Sequence, residues 1–534
     1  MEGEIDTAIV IELRALRHQK PMNDIIDRRD SPIQQYYDGA TVFITGGSGF
    51  IGKQLIEKLL RSCNIKRIYT LTRSKKGKTI EQRLEATLQS TVYDTIREKE
   101  PNFAEKIVAI EGNIDELELS ISKEDRAKLA DEVNFIFHAA ATIRFDEPIR
   151  KATLTNIRGL REVLDLARQC KHLKKFVHVS TAFTHATQDR INMDVLEKFY
   201  PSPIAPDVMI KMAEEIDEKR LEGMVAGLME QWPNTYTFTK AIGEELVRST
   251  AGDLPVCIVR PPIVIPSYCE PQPGWLEKST LAGPSGIYLS IALGILNVFC
   301  VDRETHLAMA PVDLVNNAII ASSWDSTERA KNGEQEIPVY TIAIKEVLQW
   351  KFLGETMRRL GRSNLSTPKS VWRSEILEVK SRKLYTILSL FLHYIPALIL
   401  DVICKVIGKK PKEVSSFFGI YKKIDKLGGL YDYYLKNEWE FKDDNLQAMI
   451  TRMNDADRAI FNADLRSMDK EEYVLIWGLG LRKYILEDGL TGTKAGVRKQ
   501  DIFQILNYIA VALYLYVLWL IFSYIFNIVV SLVI

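Results

Sequence analysis

Short runs of β-branched and aromatic residues recur between residues 40 and 320, separated by longer stretches with a helical period. TVFIT, RIYTLT, KIVAIEG, NFIFHAA, KKFVHVS and PVCIVRP are compact apolar runs, the form taken by parallel strands buried on both faces. GKQLIEKLLRS and LREVLDLARQC, lying between such runs, read as amphipathic helices. The alternation predicts βαβ units and an α/β fold with a doubly wound parallel sheet. From about residue 345 the pattern becomes mostly helical. The expected layout is an N-terminal extension over 1–38, an α/β domain over 39–344, a C-terminal helical domain over 345–500 and an apolar tail over 505–534.

The two ends differ. The first residues are acidic, and Glu12 and Arg14 interrupt their apolar stretch, which excludes a secretory signal. A loosely ordered extension is expected there, with Ser31-Pro32 as a turn. After Asp501 no charged residue occurs in the remaining 33. About 20 apolar residues cross a bilayer, so a transmembrane helix is predicted in this tail. Lys494, Arg498 and Lys499 precede it, which puts the bulk of the chain on the cytosolic side. A second apolar run, Leu384–Leu400, contains His393 and Pro396 and is followed by Asp401. It is short for a span and reads as an interfacial or acyl-lining helix pair.

Composition narrows the function classes. The 534 residues carry 70 Lys and Arg against 70 Asp and Glu, so no general affinity for nucleic acid is expected. Residues 345–426 are locally basic, with 17 Lys and Arg against 7 Asp and Glu, which suits anionic lipid or a phosphate-bearing ligand. Six dispersed cysteines and seven scattered histidines give no metal-ligand spacing, so no metal and no disulfide framework is expected.

The strand TVFIT runs into Gly46-Gly47-Ser48-Gly49-Phe50-Ile51-Gly52 and then a helix. Glycines at 46, 49 and 52 let a backbone approach a pyrophosphate at a helix N-terminus, the arrangement of a Rossmann-type dinucleotide site. An NAD site places an acid at the end of the next strand to bind the ribose hydroxyl. Here Arg73-Ser74-Lys75-Lys76 stands there, 21 residues after Gly52 at its start. Basic groups pair with a 2′-phosphate, so Arg73 and Lys76 point to NADPH.

Tyr236 and Lys240 are four residues apart and share a helix face. An ammonium beside a phenol favours phenolate, so a depressed Tyr236 pKa and proton exchange with a carbonyl are expected. FVHVS ends in Ser180-Thr181, either of which could hydrogen-bond the same substrate oxygen, with Thr181 preferred.

With these residues in view, the chain resembles the extended short-chain dehydrogenase/reductases and, within them, the fatty acyl-CoA reductases of insect or animal type. The resemblance rests on SPIQQYYDGATVFITGGSGFIGK, LTRSKKG, FHAAATIRFDEPI, NIRGL, HVSTAF, YTFTKAIGEEL, VRPPIV, EPQPGW, GPSGI, PVDLVNNAI and DGLTGTKAGVRK, and spans residues 31–500. It implies a Rossmann domain with a C-terminal helical reductase domain, NADPH as cofactor and long-chain acyl-CoA as substrate. It places Gly46, Gly49, Phe50, Ile51 and Gly52 at the cofactor diphosphate and Arg73 and Lys76 at the 2′-phosphate. Ala139, Ala140 and Ala141 fall beneath the cofactor, Asn156 and Gly159 in a supporting helix, and Pro261 and Pro262 beside the nicotinamide. Tyr236 and Lys240 become the catalytic pair. Asn113 departs from the Gly-Asp usual in such proteins, which implies altered adenine contacts.

The function expected on this basis is reduction of long-chain acyl-CoA to alcohol and free CoA through an aldehyde. The expected setting is a bilayer, that of the endoplasmic reticulum. A membrane-bound sterol or sugar-nucleotide dehydrogenase or epimerase on the same fold is the alternative. A non-catalytic NADPH-sensing scaffold is a third reading, against which the intact Tyr236–Lys240 pair stands.

Overall fold

A computed structural model describes residues 5–74, 77–343, 348–408 and 416–533. Its centre is a seven-stranded sheet. The strands are β1 (Thr41–Thr45), β2 (Arg67–Thr72), β3 (Ile107–Glu111), β4 (Phe135–His138), β5 (Lys175–Val179), β6 (Val256–Arg260) and β7 (Val339–Thr341). Their spatial order is β7-β6-β5-β4-β1-β2-β3, and every neighbouring pair is parallel. The order reverses between β1 and β4, which is where a doubly wound sheet opens its ligand crevice. The expected α/β Rossmann-type fold is therefore present. The seventh strand is only three residues long, too short to stand out in the hydrophobic pattern.

Alternation along each strand builds a core on both sides of the sheet. Val42 and Ile44 of β1 join one apolar cluster and Phe43 the other; Phe135 and Phe137 of β4 divide from Ile136 in the same way. Burial on both faces explains why the strands read as unbroken apolar runs.

The N-terminal extension is not loose. Thr7–Arg17 forms α1, capped by Asp6, whose carboxylate accepts from Ala8 N at 3.1 Å. The same carboxylate accepts from Thr493 N at 2.9 Å, at the start of the last helix. Glu12, the residue that breaks the apolar stretch, pairs with Lys483 at 2.6 Å. Ala8 and Ala15 are buried. The expectation of disorder fails because the charges that interrupt the pattern find partners far along the chain.

The chain beyond residue 345 is mostly helical, and it interlocks with the α/β part through short parallel pairings. Leu377–Val379 pairs with Val298–Cys300, and Glu440–Phe441 with Asp194–Val195. Thr493–Val533 is one continuous helix; its first 39 residues, Thr493–Ser531, include a stretch of mean hydropathy 2.3 with none of it buried, long and apolar enough to cross a bilayer.

Candidate active site

The loop after β1 owes its shape to its glycines. Gly46 lies at φ +79°, and a Cβ there would stand 2.8 Å from the Ala140 backbone nitrogen. A Cβ on Gly52 would collide with the Gly46 carbonyl, so Gly52 lets helix α2 (Phe50–Ser62) close onto the loop. Gly49 is the N-cap of α2; a Cβ there would meet only the Gly46 oxygen, at 3.3 Å. Space is thus left open above the first turn of a 13-residue helix, whose leading N–H groups have no intrahelical acceptor. The Phe50 ring stacks on Trp275 at 4.9 Å, and the Ile51 carbonyl accepts from Asn316 Nδ2 at 3.0 Å. These residues fit a dinucleotide diphosphate.

At the end of β2, Arg73 is exposed. Lys76 lies outside the described residues. A second cation that the sequence reading missed, Lys151, lies close enough to Arg73 that burial and, less strongly, the Arg73 charge lower its pKa. Lys151 pairs with Asp115, which also accepts from Thr155 Oγ1 at 2.9 Å. Arg73, Lys151 and the Asp115 carboxylate thus lie together near the end of β2. Asn113 lies just past β3, its N–H bonded to the Leu119 carbonyl at 2.7 Å.

Beneath the crevice, Ala140 N donates to Thr45 Oγ1 at 3.3 Å. Asn156 braces the next loop: its Oδ1 accepts from Thr142 N at 2.9 Å, and its Nδ2 donates to the Thr142 carbonyl at 3.1 Å and to Thr239 Oγ1 at 3.0 Å. Asn156 therefore ties the loop after β4 to α3 (Thr235–Thr250), the helix that carries Tyr236 and Lys240.

The Asn234 side chain caps that helix, accepting from Thr237 N at 3.0 Å. Lys240 is buried, and its Nζ donates to the Val179 carbonyl at 2.8 Å. Burial lowers its pKa to about 8, partly offset by Glu244 one turn on. Tyr236 behaves contrary to expectation. Its phenol is pushed up to about 12 by burial, opposed by a hydrogen bond with Thr181. Lys240 is not among the groups that shift the phenol. At neutral pH Tyr236 is a protonated donor.

The two hydroxyl candidates separate. Thr181 caps a short turn, its Oγ1 3.3 Å from Phe183 N and 3.4 Å from the Pro261 carbonyl, and it hydrogen-bonds Tyr236. Ser180 Oγ instead donates to Glu244 at 2.6 Å and lies 3.0 Å from Thr184 Oγ1. Glu244 in turn holds Arg260 of β6 at 2.6 Å. Ser180 thus belongs to a buried ionic cluster that fixes the strand ends. Glu244 was legible in principle as the third residue on the Tyr236–Lys240 face.

One side of the site is aromatic. Phe145 stacks on Tyr236 at 6.1 Å, and its ring lies 5.3 Å from that of Tyr434. The Tyr434 hydroxyl accepts from Asn234 Nδ2 at 2.8 Å, so a residue of the C-terminal region touches the cap of the Tyr236 helix. Tyr434 also begins an apolar cavity of about 170 Å³ that runs on past Ile263, Met309, Leu353, Tyr288 and Trp477. No residue of Leu384–Leu400 lines this cavity. Within the run, Leu384, Ile387, Leu390, Leu398, Ile399 and Leu400 are exposed, whereas Tyr385, His393 and Ala397 are buried.

Comparison with known proteins agrees with this geometry. A family described as male sterility protein, in its NAD-binding model, matches residues 44–319, and a second model with the same description matches 392–488. The chain is 34% identical to the fatty acyl-CoA reductase wat of Drosophila melanogaster over 499 residues, 93% of each chain. It is 33% identical to fatty acyl-CoA reductase 1 of Homo sapiens over 468 residues, 87% of this chain and 88% of that one. Among solved structures, the terminal R domain of the myxalamid PKS-NRPS biosynthetic pathway superposes with a TM-score of 0.55 at 18% identity, covering 85% of this chain and 92% of that one. The reductase domain of a nonribosomal peptide synthetase from Mycobacterium tuberculosis does so with a TM-score of 0.54 at 20% identity, covering 88% and 99%. At these identities the two structures bear on the fold alone.

Proposed function

The chain belongs to the fatty acyl-CoA reductases, and from that premise we propose that it reduces long-chain acyl-CoA to the alcohol and free CoA with NADPH, in two rounds at one site. The observation that carries this reading is the placement of the protonated Tyr236 phenol, hydrogen-bonded to Thr181, beside the Phe145–Tyr434 pair, of which Tyr434 lines an apolar cavity. Membership of the family favours this reading over the sterol and sugar-nucleotide alternatives. Residues 39–344 form the cofactor-binding catalytic part and 345–500 the reductase part that covers the acyl chain.

The residues of Gly46–Gly52 hold the cofactor diphosphate, and Arg73 with Lys151 holds the 2′-phosphate. When bound, the nicotinamide supplies hydride to the carbonyl carbon in each round. The substrate oxygen faces Tyr236 Oη and Thr181 Oγ1, whose hydrogen bonds stabilise the negative charge it gains. In the first round the carbon–sulfur bond then breaks, CoA leaves as thiolate and takes a proton, and an aldehyde remains. In the second round Tyr236 Oη gives its proton to the alkoxide, and the alcohol forms. Lys240 stays behind the reacting centre, fixed on Val179, within the cofactor ribose side of the pocket.

The apolar helix at the C-terminal end anchors the protein in the endoplasmic reticulum membrane, with the catalytic part in the cytosol, because Lys494, Arg498 and Lys499 precede the apolar stretch. To test the activity, the full chain in nanodiscs is given palmitoyl-CoA and NADPH, and products are identified by mass spectrometry. Two NADPH oxidised per CoA released, with hexadecanol formed, is expected. One NADPH per CoA with accumulating aldehyde would defeat the two-round scheme.

A further inference from the structure

The helix Arg382–Ile407, here α4, leaves one face of its surface without a partner. It is continuous through a π-helical turn at Leu390–Tyr394, just before Pro396, where proline cannot supply a normal helical N–H. Tyr385, His393, Tyr394 and Asp401 turn toward the body of the protein. His393 Nε2 accepts from Asn297 N at 3.0 Å and Val298 N at 3.3 Å. Tyr385 and Tyr394 both donate to Asp425 of the returning helix α5 (Phe417–Tyr431). Asp401 caps that helix, accepting from Ser416 Oγ at 2.7 Å and Phe417 N at 3.0 Å. The exposed surface is dominated by large apolar side chains: Ile387 is 56% exposed, Leu398 54%, Val402 54% and Val406 81%. A soluble monomer rarely leaves such a contiguous surface open to water.

The position of this face relative to the C-terminal helix identifies what covers it. The Phe391 ring packs edge-on against Tyr514, at 5.8 Å. Tyr514 lies 13 residues beyond Asp501, the last charge of the chain. At 1.5 Å per residue that is about 20 Å along the anchor, beyond the headgroup side of a bilayer. A helix that touches the anchor there is itself at the depth of lipid. By length and mean hydropathy, 2.1 over 26 residues, α4 could cross a bilayer, but the chain returns through α5, whose 15 residues include Lys422, Lys423, Asp425 and Lys426, and Lys426 pairs with Asp146 of the catalytic part at 2.7 Å, which fits a helix lying within one leaflet. Arg382, Lys383 and Lys405 lie toward the ends of α4, where long cationic side chains reach headgroups.

The feet of this hairpin are also walls of the apolar cavity. Ser374, Ile376 and Glu378, which lead into α4, Tyr431, the last residue of α5, and Leu435 just beyond it all line the cavity. We propose that α4 is embedded in the cytosolic leaflet beside the anchor, and that the acyl chain passes between bilayer and cavity at the hairpin's feet without crossing water. The second part rests on the acyl-CoA reading above; the first does not.

The experiment uses the full chain in phosphatidylcholine–phosphatidylserine vesicles. Ile399→Cys and Val406→Cys, each in a Cys404→Ser background, carry an environment-sensitive fluorophore, and brominated phosphatidylcholine serves as quencher. Quenching at both positions, with none at Lys211→Cys on the exposed surface of the catalytic part, is expected. Blue-shifted emission without bromolipid quenching would mean that a second copy or another protein covers the face, and overturns the proposal. For the route, Leu398→Lys with Val402→Lys is assayed. Loss of turnover on palmitoyl-CoA partitioned into vesicles, with turnover of water-soluble octanoyl-CoA kept, is expected. Unchanged palmitoyl-CoA turnover overturns the route. If the unsubstituted protein reduces neither acyl-CoA, the functional reading fails, and the quenching still decides where α4 lies.

Discussion

Lys240 Nζ donates its 2.8 Å hydrogen bond to the Val179 carbonyl, at the end of the strand that leads into Ser180 and Thr181. The bond ties α3 to the sheet and leaves the Tyr236 pKa to burial and Thr181. Burial also lowers the Lys240 pKa to about 8. The sign follows directly: the ammonium is fully charged at pH 6 and is lost as pH rises through about 8, well before an ordinary lysine would titrate. NADPH affinity, measured by fluorescence titration, therefore weakens across that window. Lys240→Arg, which keeps its charge, abolishes the alkaline limb. Persistence of the limb in Lys240→Arg would assign it to another group.

Tyr236→Phe removes the proton donor and keeps the ring that stacks on Phe145. Turnover falls by ~10²–10⁴ while the NADPH dissociation constant stays within twofold, since a positioned acid contributes about that much to rate. Alcohol production near that of the unsubstituted protein rules out Tyr236 as the acid.

Arg73→Ala and Lys151→Gln weaken NADPH and spare NADH. Each charge-assisted hydrogen bond to a phosphate contributes ~1.5–3 kcal/mol. Isothermal titration with both cofactors measures the difference, and equal losses would make the two cations ordinary surface charges.

How much of this was visible in the chain depends on how local each feature is. The β1–loop–α2 unit was legible because the glycines, strand and helix are contiguous. Tyr236 and Lys240 were legible because a helix sets their spacing. Lys151 was not: it reaches Arg73 only because the helix after β4 folds back over the end of β2, 78 residues later. Tyr434 meets Phe145 through a return of the chain across nearly 290 residues. The Tyr236 pKa was misread for a related reason. Sequence spacing puts an ammonium on the same helix face as the phenol but does not reveal how completely the phenol is buried.

The loop glycines separate folding from binding. Gly46→Ala forces a side chain into the left-handed region, which costs ~1–2 kcal/mol, and drives it against Ala140. Gly49→Ala has an ordinary φ of −85° and meets one atom at 3.3 Å. Gly46→Ala lowers the melting temperature without ligand. Gly49→Ala melts near the unsubstituted protein and loses cofactor affinity. If Gly49→Ala binds NADPH normally, the diphosphate lies elsewhere on the loop.

The cavity sets the last expectation. Leu353 lines it, and Tyr236 does not. Leu353→Trp fills part of the space with a rigid ring and leaves the cofactor loop and Tyr236 untouched. An acyl chain gains ~0.8 kcal/mol for each CH₂ it removes from water, so methylenes denied a place in the cavity lower kcat/KM progressively with length. Octanoyl-CoA, which ends before the obstruction, keeps its kcat/KM, whereas palmitoyl-CoA loses several of these increments. A parallel assay of NADPH affinity guards against a general loss of structure, since that would weaken both substrates and the cofactor together. A uniform drop for the two acyl-CoAs with normal NADPH binding would mean that the chain does not enter this cavity. A drop confined to the longer one places the chain's distal methylenes against Leu353.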